Sequence, residues 1–427
     1  MRDAPARSVA THFATCTAFS LSAIAAPFVP EGIAVYAGIR YLTAFLYGPR
    51  QWQAPARIPL HLGKHGYRDA TTRKRGAATW PIGLAGNQQV WLLRDDLAQG
   101  CAFVGDDPDW QRQAIEQLVF GACLNQMGAI IIQDHTAPPL AKRLAALACP
   151  FGRDREMARV DLHDPISPPL RITIRAIEDA LAGLGLPKAA LTLNAALAPI
   201  LNLIATRYRR NSLPLYGVIL DKDALDELIA GRPAIEGLMS TTESNTSADG
   251  LIPHQLLDQL KAISAMDLEQ GRQDLEPVAR ELAATPGLSL THGLELDAAL
   301  ANRRLVCIRP SSPFTAALVV ALTTEALSAS DTASVTDNLV HVGDPAMTPD
   351  VSQRFLMATS RTGASGSIAL KSTSDTSLKF VIDHCRIRFE HTVKDHDSKT
   401  YITSSLKDCQ FSFEISSFVA DATTDNV

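Results

Sequence analysis

His384, His391 and His396, with Cys385 and Cys409 in the same stretch, are residue types that ligate transition metals, but their spacings match no zinc pattern. They are read as surface or core side chains. Gly363-Ala-Ser-Gly-Ser-Ile-Ala-Leu-Lys371-Ser372 carries the glycines, lysine and hydroxyl of a phosphate loop, yet Leu370 stands where the glycine before the lysine is required. That segment also leads into a strand instead of opening a helix, so it reads as a turn. Asp134-His135 sits at the end of an apolar run, where α/β proteins gather their sites. No nucleophile accompanies the pair, which favours a structural turn. The chain has neither the G-x-S-x-G form of a nucleophile elbow nor the G-x-G-x-x-G of a dinucleotide fold. Its seven cysteines are scattered without a C-x-x-C pair, which argues against a disulfide framework and for a reducing compartment. Forty Lys+Arg against 45 Asp+Glu leave a net charge of -5 over 427 residues, so no global attraction to nucleic acid or anionic lipid is expected.

The elements around these residues alternate. Cys101–Gly105, Ala129–Asp134 and Ala158–His163 are short apolar runs of buried-strand type. Helical spacing over Asp109–Gln126 lines up Ile115, Leu118, Val119 and Ala122, and a proline-initiated helix is expected from Pro138. Strand, helix, strand, helix, strand in this order implies parallel pairing through crossovers. From Ile177 to about Leu300 the strand signal fades into Leu-, Ala- and charge-rich segments such as Ala190–Arg207, Asp223–Ala230 and Gln255–Lys261, with Tyr216–Leu220 ambiguous. Strands return at Arg304–Ile308, Asn338–Val342 and Ser367–Leu370, separated by helices around Phe314–Leu327 and Asp350–Ala358. Cys385–Glu390 alternates as an edge strand would, and the Ser/Thr/Asp-rich end reads as a mobile tail.

At the N-terminus, Ser8–Phe28 contains no charged residue apart from the ionisable His12, and Ile33–Gly48 is apolar except for Arg40. Pro27 to Gly32 forms the turn between them. Arg2 and Arg7 precede the first stretch; Arg50, Arg57, Lys64, Arg68, Arg73, Lys74 and Arg75 follow the second. Positive charge on both outer flanks, with Glu31 between, fits a transmembrane hairpin with both ends cytoplasmic. Two rivals stand beside it: a signal peptide cleaved near Ala23-Ile-Ala25, and a pair of buried helices. The basic linker Arg57–Arg75 is explained by the positive-inside rule; contact with DNA lacks aromatic interleaving or a recognition helix to support it.

This order of parts resembles the coupling proteins of type IV secretion and conjugation systems, the TraD/TraG/DotL type. Ala56–His61 and Gly86–Asp96 are similar to the segments leading those proteins into their first strand, and Gly128–Asp134 resembles their second. The resemblance implies a RecA-like, P-loop-type α/β domain (parallel sheet) interrupted by an all-α insertion, behind an N-terminal transmembrane hairpin. It divides the chain into the hairpin (1–50), a basic linker with the first α/β half (51–176), the all-α insertion (177–300), and the second half with its tail (301–427).

Against the family's pattern, the phosphate loop is degenerate. The text is Val104-Gly-Asp-Asp-Pro-Asp-Trp-Gln111: Gly105 stands as first glycine, while Gln111 and Arg112 take the places of the lysine and the Ser/Thr. Asp106, Asp107 and Asp109 would repel a polyphosphate, and Pro108 lacks an N–H donor. The family's acidic strand end falls on Gly343 and Asp344, with Gly343 replacing the metal-associated acid, and Ser372 replaces a glutamine. The expectation is a pseudo-ATPase with no catalytic residue, no metal and no ATP as cofactor. It would be a structural or adaptor subunit in a bacterial inner membrane, the bulk of the chain cytoplasmic, oligomerising with itself or with other secretion subunits. Two alternatives are an ATPase with a non-standard or partner-supplied nucleotide site, and a secreted envelope protein.

Overall fold

The computed structural model describes residues 79–85, 88–93, 97–208, 213–230, 253–330, 335–343, 349–370, 385, 387–394, 397–404 and 407–415. The expected hairpin over 1–50, the linker Arg57–Arg75, Asp344 and Ser372 lie outside these residues.

Seven strands run parallel: β3 (Cys101–Val104), β4 (Gly128–Ile132), β5 (Ala158–Asp161), β8 (Leu305–Arg309), β9 (Asn338–Val342), β10 (Ser365–Leu370) and β11 (Ile387–Lys394). Their order across the sheet is β11-β3-β10-β9-β4-β8-β5. Strands consecutive in sequence are thus mostly not neighbours: β10 and β9 lie between β3 and β4. The apolar runs fit because both faces of a parallel sheet are covered.

On one face, Val104, Ile130, Ile132, Val340, Val342, Ile368 and Leu370 join the larger core. On the other, Phe103, Ile131, Cys307, Leu339, Ala369 and Phe389 pack with α1 (Pro108–Leu124) and α2 (Ala141–Ala148). Helix α2 begins at Ala141, so Pro138 precedes it instead of opening it.

Between β5 and β8 the regular elements among the described residues are helices except for β6 (Leu170–Arg171) and β7 (Leu288–Ser289), which pair in parallel and bring the insertion's entry and exit together. Its helices are α3 (Ile174–Gly183), α4 (Lys188–Tyr208), α5 (Leu213–Ile219), α6 (Lys222–Ile229), α7 (His254–Lys261), α8 (Ala265–Ala284) and α9 (Leu296–Ala301). The ambiguous Tyr216–Leu220 run therefore lies largely in a helix. Among the described residues one segment, Lys188–Thr206 of α4, is long and apolar enough to cross a membrane; here Leu193, Leu197, Ile200 and Leu201 are core residues. Helix α10 (Pro313–Ala329), opened by a capping box between Ser312 and Thr315, packs against α3 and α11 (Pro349–Thr362) and is buried over most of its surface.

Two sequence expectations fail here. Cys385–Glu390 was expected to form an edge strand, but β11 lies inside the sheet, parallel to β3 and antiparallel to β12 (Asp397–Ser404). The expected tail is strand as far as Ile415: β12, β13 (Lys407–Ile415), β1 (Thr79–Ala85) and β2 (Gln88–Leu93) extend the sheet as an antiparallel flank. The Ser/Thr-rich composition concealed the period-2 alternation of Phe411, Phe413 and Ile415 with polar residues, which is a strand pattern. Trp80 of β1 fixes this flank to α1: its indole N–H donates to Leu118 O at 3.1 Å, and Gly121 leaves room for the ring.

Candidate functional site

All seven parallel strands end at one edge, the edge where open α/β sheets bind ligands. The site predicted from sequence lies at the end of β3. Only Gly105, Asp106 and Asp107 separate Val104, the last residue of the strand, from Pro108, the first of α1. Asp107 is the N-cap: its carboxylate accepts the Asp109 N–H at 2.9 Å, satisfying one of the donors that a helix start leaves open. Pro108 suits the first helical position because its missing N–H would be unpaired there. A phosphate-binding loop curls the N–H groups of several residues around an anion; this connection has three residues.

Gln111, at the place expected for the lysine, turns back to the sheet. Its side-chain amide donates to Gly105 O at 2.7 Å and to Leu370 O at 3.2 Å, while the Gly105 N–H donates to Leu370 O at 3.0 Å. The ends of β3 and β10 are thus tied together by the residue that would otherwise reach for phosphate. Arg112 points elsewhere, to Asp109 at 2.5 Å and Glu116 at 3.8 Å; Glu116 is buried and also held by Arg143 at 2.8 Å. Of the three loop carboxylates, Asp107 caps the helix, Asp109 pairs with Arg112, and Asp106 is exposed.

His391 closes the position from above. The register that sets Glu390 beside Val104 brings His391 alongside Gly105, where a Cβ would lie 2.9 Å from the His391 Cβ. The imidazole stacks on Trp110, ring centroids 5.1 Å apart and planes at 16°, and Phe103 stacks on Phe389 at 4.8 Å below. Burial holds the His391 pKa below the usual histidine value, partly opposed by the Asp107 carboxylate. The reading of His391 as a packed side chain and not a metal ligand fits its ring, which lies against Trp110. Among the described residues no group of three His, Cys, Asp or Glu side chains could hold a metal ion.

At the end of β9, the Gly343 N–H donates to Ile132 O at 2.8 Å. Asp134, just beyond β4, uses one carboxylate oxygen to accept the N–H and hydroxyl of Thr136, both at 2.8 Å, and faces His135 Nδ1 at 3.4 Å. It acts as a turn residue. His341, within β9, is fully buried; its Nδ1 meets Ser367 Oγ at 2.9 Å, and burial lowers its pKa to about 3. A histidine inside an otherwise apolar strand run is a signal the sequence carries, although nothing in it names Ser367 as the partner.

No protein-family model matches the chain, and no curated protein matches it in sequence. Solved structures similar to it include the bacterial conjugative coupling protein TrwBdeltaN70 in an unbound monoclinic form, at TM-score 0.48 and 12% identity, covering 82% of this chain and 91% of that one. The plasmid coupling protein TrwB in complex with the GTP analogue GDPNP gives the same TM-score and identity, covering 82% and 92%. VirB4 of Thermoanaerobacter pseudethanolicus follows at TM-score 0.40 and 10% identity, covering 81% and 98%. The fold is described above from its own strand order, and these likenesses add no argument to it.

Proposed function

We propose that this chain is a non-catalytic, coupling-protein-like membrane subunit of a type IV secretion or conjugation system, acting as a structural or adaptor component. The observation that carries the reading is the double hydrogen bond of Gln111 to Gly105 O and Leu370 O. It closes the turn in which an ATPase of this architecture would cradle phosphate. Among the described residues of the turn there is no lysine to neutralise β- and γ-phosphates, and three residues are few to encircle them. Asp106 and Asp107 add negative charge where a polyphosphate would sit. The split of the α/β domain by a helical insertion, between β5 and β8, supports the family reading, as does the order of sequence segments that resembles coupling proteins. In this reading the hairpin holds the chain in the bacterial inner membrane, the sheet domain faces the cytoplasm, and the partners are other subunits of the apparatus.

Calorimetric titration of the detergent-solubilised full chain with Mg-ATP tests the proposal. No binding is expected at millimolar nucleotide. A micromolar dissociation constant overturns it.

A further inference from the structure

His341 and Gln133 present polar atoms that no described protein group satisfies. His341 is 0% exposed and Gln133 1% exposed. The Nε2 of His341 and both amide atoms of Gln133 are without a hydrogen-bond partner among the described residues. The two side chains share a face of the sheet and stand close together. The β4–β9 ladder pairs Ile131 with His341 and Ile132 with Val342, so Gln133 comes beside Gly343, two residues beyond His341. Native proteins satisfy buried polar groups almost without exception, because an unpaired one forfeits its hydration with nothing in return.

Residue 343 sets the size of what can fit. A Cβ there would lie 3.5 Å from His341 Nε2, 3.4 Å from Asp134 N and 3.3 Å from Ile132 O, so the absent side chain leaves room over the imidazole for about one heavy atom. The occupant must both donate and accept, since an imidazole nitrogen and an amide face it. A neutral occupant is favoured, since an ion held by His341 and Gln133 would be buried with no countercharge from either.

We propose that the ends of β4 and β9 enclose a single ordered water molecule that bridges His341 Nε2 and Gln133, in the space that the glycine at 343 leaves. The water completes the chain Ser367–His341–water–Gln133 and links β10, β9 and β4 across the sheet at its ligand-binding edge. Gly343 is then required for hydration, and this assignment does not depend on whether the chain binds nucleotide.

A crystal structure of the full chain at a resolution that shows waters tests the assignment, with proton NMR of the histidine-labelled protein beside it. Expected are density within hydrogen-bonding distance of both side chains and a cross-peak to water from the carbon-bound His341 ring protons flanking Nε2, lost in Gly343→Ala. Three outcomes overturn it: the Gln133 amide placed directly on His341 Nε2, a site empty of density, or a larger molecule in it. The wild-type density and cross-peak decide the matter even if Gly343→Ala does not fold.

Discussion

The amide of Gln111 donates to the main-chain carbonyl of Leu370, 259 residues away in the chain, at 3.2 Å. With its bond to Gly105 O it joins the start of α1 to the ends of β3 and β10. Gln111→Ala removes both bonds, and since each is worth roughly 0.5–1.5 kcal/mol net, a loss of about 1–3 kcal/mol is expected. The denaturation midpoint in urea reads it. Gln111→Lys should destabilise as well, and should not create Mg-ATP binding, because the turn remains three residues long.

The antiparallel flank rests on the fit of Trp80 to Gly121. Gly121→Ala places a methyl inside the space of the indole. Alanine is the better helix former by about 1 kcal/mol, but overpacking a filled core costs about 1–3 kcal/mol, so the net effect is expected to be destabilising. The melting temperature should fall. Pairing Gly121→Ala with Trp80→Leu should recover part of the loss, although that variant gives up the bond to Leu118 O. A double-mutant cycle measures the coupling.

Stability should depend on pH through His341. Its folded pKa, about 3, lies below the ordinary histidine value of 6.5, so the unfolded chain takes up a proton first as the pH drops. The stabilising contribution is complete above about pH 6.5 and is lost progressively as pH falls toward 3. At pH 5 the loss amounts to as much as about 2 kcal/mol. Urea midpoints at pH 7 and pH 5 should differ more for the wild type than for His341→Asn, which removes the imidazole. Equal differences in the two proteins would assign the acid sensitivity to other groups.

The parts of this fold that could be read from sequence are those whose signal is local. β4, β8, β9 and β10 are short, mostly apolar runs, the pattern of strands buried on both faces. α1 and α10 carry their own caps, Asp107 and Ser312, with proline following each. Strand order was not legible: nothing in Cys101–Val104 states that its neighbours are Ser365–Leu370 and Ile387–Lys394. The antiparallel flank was missed because β1 and β13 meet across more than three hundred residues and composition masked their alternation. At the site, the identities of Gln111 and Gly343 could be read from sequence as departures from a phosphate-loop pattern. What Gln111 does instead, and the stacking of His391 on Trp110, depend on pairings that only the folded sheet creates.

The topology expected from the uncharged run Ser8–Phe28 and the basic residues after Gly48 can be mapped by cysteine accessibility. A probe at Glu31→Cys should be labelled from outside the membrane. Probes at Asp3→Cys and Lys64→Cys should be reached only from the cytosol. Release of the full-length chain by carbonate would exclude the hairpin.

The proposed role as an assembly subunit makes a prediction about mass. Under the proposal, a chain that keeps an α/β frame and a helical insertion but binds no phosphate has its surfaces left to act with. Obligate interfaces bury about 2,000 Å² or more and are largely apolar. The outer side of the insertion and the segment from Pro138 to Ala148, where α2 covers the sheet, are the places to look for one. Gentle solubilisation followed by native mass determination, alone and after co-expression with the membrane and ATPase subunits of a secretion system, should give a complex heavier than the 46.0 kDa chain. Exposed side chains on α2, Lys142 and Ala146, provide the control. Replacing them with glutamate should weaken the complex without lowering the melting temperature if α2 lies in the interface, because neither belongs to the core. A chain that stays monomeric in every combination would remove the assembly role while leaving the closed phosphate turn as it stands.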